Sequence, residues 1–171
     1  MFLKDFPEED FPNLQEVTLR SNGFLWNEKN WHRIHPTFRS KRIIASISID
    51  AASAETYNKV RGGCFDTLMK NLNFIGSLMD KGELLSMTLI MVYRKSNYVE
   101  IPAFIDMAKK LYVVIHPLQA WEESAYVING EYDDEAIHRP SHPEYQHFKE
   151  FIAANNVKHG QDEYTYVDFS Y

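Results

Sequence analysis

The chain of 171 residues has a single cysteine, Cys64. One thiol excludes an internal disulfide, a cysteine-rich zinc site and a self-contained iron–sulfur site. No apolar run approaches the ~20 residues that span a bilayer, so no membrane segment is expected. The N-terminus, Met-Phe-Leu-Lys-Asp-Phe-Pro-Glu-Glu-Asp, has neither a basic n-region nor an apolar h-region, and no signal peptide is read there. These absences point to a soluble, cytoplasmic protein. Basic residues are also short: 18 Lys and Arg stand against 24 Asp and Glu, a net charge of −6. That balance argues against a nucleic-acid-binding surface, which needs clustered Lys and Arg. Internal repeats, low-complexity tracts and a second-domain boundary are all lacking.

What is present is a globular composition, with 44% hydrophobic and 25% charged residues. The length suits one domain with a sizeable core, taken as residues 1–171. Aromatics reach 14%, and many fall in the C-terminal third, where they pack or line a surface.

Strand and helix patterns alternate. Residues 14–20 alternate in period two and predict a strand, ended by the turn Ser21-Asn22-Gly23. A helical stretch over 28–38 contains Trp31 and Ile34, and Pro36 is expected to bend or end it. Residues 42–50 form an Ile-rich strand. Ser53 suits the N-cap of a helix over 54–60, with Glu55 near its positive dipole end. Phe65, Leu68, Leu72 and Ile75 recur at three- and four-residue steps, which predicts a helix over 65–80 stopped by Gly82. Residues 84–92 are nearly all apolar and read as a strand covered on both faces. A helix over 99–110, with Pro102 in its first turn, precedes a short strand at 112–115. After Pro117 come a loop (121–135), a helix at 143–154 and a polar tail with Tyr164, Tyr166, Phe169 and Tyr171.

This spacing predicts an α/β fold of βαβ units with about four parallel strands, flanking helices and an irregular C-terminal extension. The β/α core is placed at 14–116, and the loop, helix and tail extension at 117–171. Ligands of such sheets bind at the carboxyl ends of strands. Ser48, Asp50 and Arg61 fall there, because the strand runs into Asp50, a small-residue turn and a short helix that delivers Arg61. The plainer reading is local: Asp50 caps a turn, and Arg61 pairs with Asp50, Glu55 or Asp66 on the surface. Gly62-Gly63 is a turn between helices. Cys64 reads first as a packing residue and second as a helix-start thiol of lowered pKa. His138, His142 and His147 with Glu144 lack the His-Glu-x-x-His spacing of a helical metal site. Trp121, Glu122 and Glu123 follow the last strand as a substrate wall or a packing lid.

Taken in order, these segments resemble the second half of the radical S-adenosylmethionine (SAM) partial barrel. Ser21-Asn22-Gly23 resembles the family's Thr-Asn-Gly turn. Residues 48–63 resemble its Ser-Ile-Asp strand with the following Glu-Thr-Tyr and Arg-Gly-Gly, and Phe65-Asp66 resembles its next helix start. Asn97 and Glu100 resemble its loop after the fifth strand. The stretch from Trp121 through His138, Pro140 and His142-Pro143-Glu144 is similar to an ending that precedes an auxiliary-cluster region. Coverage is about residues 14–155.

The resemblance makes the expected fold a partial (β/α) barrel. It implies SAM as cofactor, with Ser48 and Arg61 on its amino-acid end. It implies Asp50 as an orienting group and Asn22 and Asn97 on the rim. It also implies a 4Fe–4S cluster that this chain does not support, because Cys64 lies at a helix start and the family's Cys-x-x-x-Cys-x-x-Cys loop is expected upstream of residue 1. Without the cluster the chemistry is missing. The expectation is therefore a truncated or split radical SAM domain, inactive alone. The alternative is a non-catalytic interaction module that keeps the fold. A third reading, an unrelated (β/α) enzyme, uses Asp50 and Glu100 as an acid–base pair. Strand 14–20 is expected to be an open edge, covered by a homo-oligomer or a partner chain.

Overall fold

A computed structural model describes residues 3–108, 111–119 and 129–169. Six strands form one sheet: β1 (Glu16–Ser21), β2 (Arg42–Ser48), β3 (Ser86–Tyr93), β4 (Tyr112–Pro117), β5 (Gly160–Gln161) and β6 (Thr165–Val167). Their spatial order is β1-β2-β3-β4-β6-β5. The first five in that order are parallel, and β5 alone runs antiparallel, against β6. The helices are α1 (Glu28–Trp31), α2 (Pro36–Arg39), α3 (Ala54–Arg61), α4 (Phe65–Asp80), α5 (Ile101–Met107), α6 (Tyr132–Glu135) and α7 (Tyr145–Ala154). The protein is an α/β fold, a parallel sheet flanked by helices in a partial (β/α) barrel. Among the described residues no helix is long and apolar enough to cross a membrane.

Strands laid down in chain order with crossovers of one hand carry their helices on one side of the sheet. Burial follows that rule. Ile43, Ala45 and Ile47 of β2, Met87, Leu89 and Met91 of β3, and Val113 and Ile115 of β4 pack in one core cluster. Trp31, Phe38, Leu68, Leu72, Ile75, Phe104 and Phe148 from the helices join the same cluster. The intervening strand residues belong to the opposite face. Arg20, Ser46, Thr88 and Tyr112 line up there across the sheet, and Ser48, Ile90 and Val114 form the next row. None of them belongs to the core cluster. Among the described residues, this second face carries no helical layer.

That asymmetry corrects the expectation for β3. Its burial alternates half-buried and buried along Ser86–Tyr93 rather than being complete on both faces. The apolar side chains Ile90 and Val92 are half-buried on the open side. Pro36 also acts differently from expectation. It opens α2 at the first helical position, where the missing N–H costs nothing, so residues 28–38 make two short helices. The expected tail contains β6, a fifth parallel strand hydrogen-bonded beside β4. Three residues, Thr-Tyr-Val, are too few to show a period of two. Within the expected loop, 132–135 is helix α6, while 120–128, including Trp121, Glu122 and Glu123, lie outside the described residues. Tyr171 lies outside them as well.

The turn after β1 is built as its residues suggest. Gly23 has φ +73°, and a Cβ there would meet Leu68 Cδ1 at 2.9 Å and Ile47 Cγ2 at 3.0 Å. Asn71 of α4 donates to the carbonyls of Gly23 and Phe24 at 3.0 and 2.8 Å. The carboxyl end of β1 is thereby tied to the helical layer.

Candidate functional site at the carboxyl ends of β2 and β3

Past Ser48, the chain leaves β2 through Ile49 and turns sharply at Asp50, which has φ +61°. Asp and Asn are the non-glycine residues that tolerate this left-handed region best. The turn sends the Asp50 carboxylate across the end of β3. Oδ1 accepts the Val92 N–H at 2.8 Å. Oδ2 faces two guanidinium groups, Arg61 Nη2 at 2.7 Å and Arg94 Nη2 at 3.5 Å. Asp50 and Arg94 are enclosed, with side chains 4% and 5% exposed, whereas Arg61 is 28% exposed.

Arg61 arrives by a short, well-capped helix. Ser53 Oγ accepts the Thr56 N–H at 3.2 Å, as an N-cap should. Gly62 closes α3 in the left-handed conformation, φ +67°. The cap itself is anchored by Glu100, which accepts from the Ala52 N–H at 2.6 Å, the Ser53 N–H at 3.3 Å and the Ser53 hydroxyl. Burial pushes the Glu100 carboxyl up. The hydrogen bonds from Ser53, Thr56 and the backbone of 52–53 outweigh that and hold it below its usual value. Glu100 is thus engaged in securing a turn, and Asp50 is engaged by two cations. An acid–base pair made of the two has no free carboxylate to work with.

Asn97 is wholly enclosed. Its amide donates to the carbonyls of Asp50 at 2.8 Å and Val92 at 3.0 Å, and its Oδ1 accepts the Arg94 N–H at 2.8 Å. One side chain therefore fastens the ends of β2 and β3 to the loop that carries Arg94. Asn22 is exposed at the end of β1, where its Oδ1 accepts the Phe24 N–H at 3.1 Å in an Asx turn. Ser48, half-buried, shares the open face with Ile90 beside it in register. Ser48, Asp50, Arg61 and Asn97 thus meet at one corner of the sheet. Asn22 stands one strand away on the same rim.

Sequence reading missed Arg94 and Glu135. Burial draws the Arg94 pKa down, while the charges of Asp50 and Glu135 support its protonated form. Glu135, on α6, accepts from the Ser96 N–H at 3.1 Å and the Ser96 hydroxyl at 2.7 Å. Lys95 bridges Asp134 at 3.0 Å and Glu144 at 2.9 Å. The segment 132–144 is held over the exit of β3 by these contacts.

The other residues singled out from the sequence lie elsewhere. Cys64 is exposed at the N-cap of α4 rather than packed, and hydrogen bonds from Thr67 lower its thiol pKa. The reason is geometric: α4 turns its apolar stripe inward from Leu68 onward. His142 Nε2 lies 2.9 Å from the Asp134 carbonyl, and its Nδ1 accepts the Glu144 N–H at 3.0 Å. His147 is exposed on α7. Among the described residues no three His, Cys, Asp or Glu side chains gather as metal ligands.

His138 is buried edge-on against Tyr93, with ring centroids 6.1 Å apart. Burial and the Arg139 charge lower its pKa, Asp168 opposes this, and His142 adds to the lowering. The folded protein thus resists protonating it, whereas the unfolded chain takes a proton near pH 6.5. The stability it confers is complete above about pH 6.5 and is lost as pH falls below that toward its folded pKa. Urea unfolding of the wild type should show a falling midpoint between pH 7 and pH 5. His138→Leu should flatten much of that fall; an unchanged slope would contradict the assignment.

Set beside known proteins, the chain matches no family model and no curated protein. The functional reading therefore rests on the corner formed by Ser48, Asp50, Arg61, Arg94 and Asn97.

Proposed function

We propose that this chain is a radical SAM-type partial barrel that binds the amino-acid end of SAM at the carboxyl ends of β2 and β3. It is inactive in radical chemistry alone. The observation that supports this most is the state of Arg61. Its guanidinium is partly exposed, and Asp50, two residues beyond Ser48 in the chain, is its one ion-pair partner among the described residues. A guanidinium so placed has donors left for a carboxylate in bidentate geometry. In this reading Arg61 binds the ligand carboxylate and the Ser48 hydroxyl donates beside it. Asp50 and Asn97 hold the rim in shape, and Asn22 lines it from β1.

The fit differs between the two groups that the resemblance implies. The Arg61–Ser48 corner suits an amino-acid carboxylate. A 4Fe–4S cluster needs about three protein thiolates, and the single thiol, Cys64, is exposed at the start of α4. The thiolates for a cluster would have to come from outside residues 1–171. Calorimetric titration should give micromolar SAM binding that Arg61→Ala weakens at least tenfold. Equal affinity in the two proteins would remove the proposal.

A second reading, a non-catalytic interaction module, is favoured by the edge of β1. Among the described residues β1 forms a ladder only with β2, and residues 3–13 contact the helical side, with Phe6 against Phe38. An open strand edge is a template for another strand. Light scattering at micromolar concentration should find a dimer or a larger species. A monomer across the whole concentration range would count against edge pairing.

A further inference from the structure

The Asp50 carboxylate has two guanidinium partners that differ in a functionally useful way. Arg94 is enclosed, and its backbone is pinned by Asn97. Arg61 is partly exposed at the last residue of α3, followed by Gly62-Gly63. Both reach the same oxygen, Oδ2. Were Arg61 the sole cation, turning it outward would strand a buried carboxylate, which is strongly unfavourable. With Arg94 in place that penalty is removed. Arg61 then exchanges one carboxylate for another, and the exchange is close to balanced.

We infer that Arg94 is a positioning residue for carboxylate binding: it neutralises Asp50 while Arg61 turns from Asp50 to an incoming carboxylate. The ligand assignment rests on the function proposed above, but the exchange of partners does not require SAM in particular. Glu135, hydrogen-bonded to Ser96 two residues beyond Arg94, also weighs on the balance, because its charge acts on Arg94. Removing that charge leaves Arg94 more fully to Asp50 and makes Arg61 easier to release. Arg94 and Glu135 are therefore expected to shift carboxylate affinity in opposite directions when neutralised.

The test uses the full chain with isotope-labelled arginine. The Arg61 side-chain signal is followed by NMR during titration with acetate and, separately, with SAM. It is assigned by its loss in Arg61→Lys. In the wild type both ligands should shift Arg61 and leave Arg94 in place. Arg94→Met should weaken the acetate response at least tenfold, while Arg94→Lys should keep most of it. Glu135→Gln, at a half-buried site, should strengthen it severalfold, and this variant carries the test even if Arg94→Met fails to fold. Acetate that shifts Arg61 equally in the wild type and Glu135→Gln, or that shifts nothing, overturns the inference. Acetate binding with this pattern, but no response to SAM, upholds the exchange and rejects SAM as the ligand.

Discussion

Asp50→Asn is expected to cost about 3 to 5 kcal/mol of folding stability, the range for breaking a buried ion pair on one side. The loss comes mainly from Arg94, whose enclosed guanidinium keeps its charge and loses Asp50 at 3.5 Å, the stronger of the two carboxylates that support it. The partly exposed Arg61 contributes little, because solvent screens it. Asparagine is the right probe, since it tolerates φ +61° and can still accept the Val92 N–H. Backbone strain therefore does not confuse the result. The double variant Asp50→Asn with Arg94→Met should be more stable than Asp50→Asn alone, because it removes a buried charge that has lost its Asp50 partner. Urea denaturation of the four proteins in this cycle measures the coupling. A loss below about 1 kcal/mol in the single variant would mean that Asp50 and Arg94 do not interact as described.

Asn97→Ala should be comparably damaging, at about 2 to 4 kcal/mol, since it leaves three buried backbone groups without their partner. The amide now serves the Asp50 and Val92 carbonyls and the Arg94 N–H at once. The effect should be local as well as global. Hydrogen exchange should rise first at the ends of β2 and β3 and in residues 94–100, with α4 and the middle of the sheet following only on global opening. Asn97→Asp should not rescue. It keeps the acceptor for Arg94 but faces two carbonyls with a carboxylate. Uniformly raised exchange throughout the sheet would show that Asn97 is an ordinary core residue rather than a fastener of strand ends.

How far these residues could be read in advance depended on distance along the chain. The local chain from Ser48 to Arg61 carries its own signals: an alternating strand, an N-cap serine and a helix ending in Gly62. The order of residues accordingly offers Arg61 three carboxylates, Asp50, Glu55 and Asp66, and the structure pairs it with Asp50 at 2.7 Å. Arg94 carries no such signal. It follows a strand in the run Tyr-Arg-Lys-Ser, where a basic residue usually faces solvent, and its burial comes from tertiary closure over β3. Glu135 is equally remote in the chain from the arginine its charge acts on. Glu100 was legible as a carboxylate near the site, but its role of anchoring the α3 cap depends on a loop crossing that sequence spacing does not encode. The same limit explains β6, which exists as a strand because β4 offers an edge, not because Thr-Tyr-Val has a pattern.

The central proposal is that the Asp50–Arg61 corner recognises the carboxylate of SAM. Titrating the chain with SAM and, in parallel, with its decarboxylated analogue tests that claim without any mutation. Micromolar binding of SAM with at least tenfold weaker binding of the analogue is the predicted result. Equal binding of the two, or no binding of either, would contradict it.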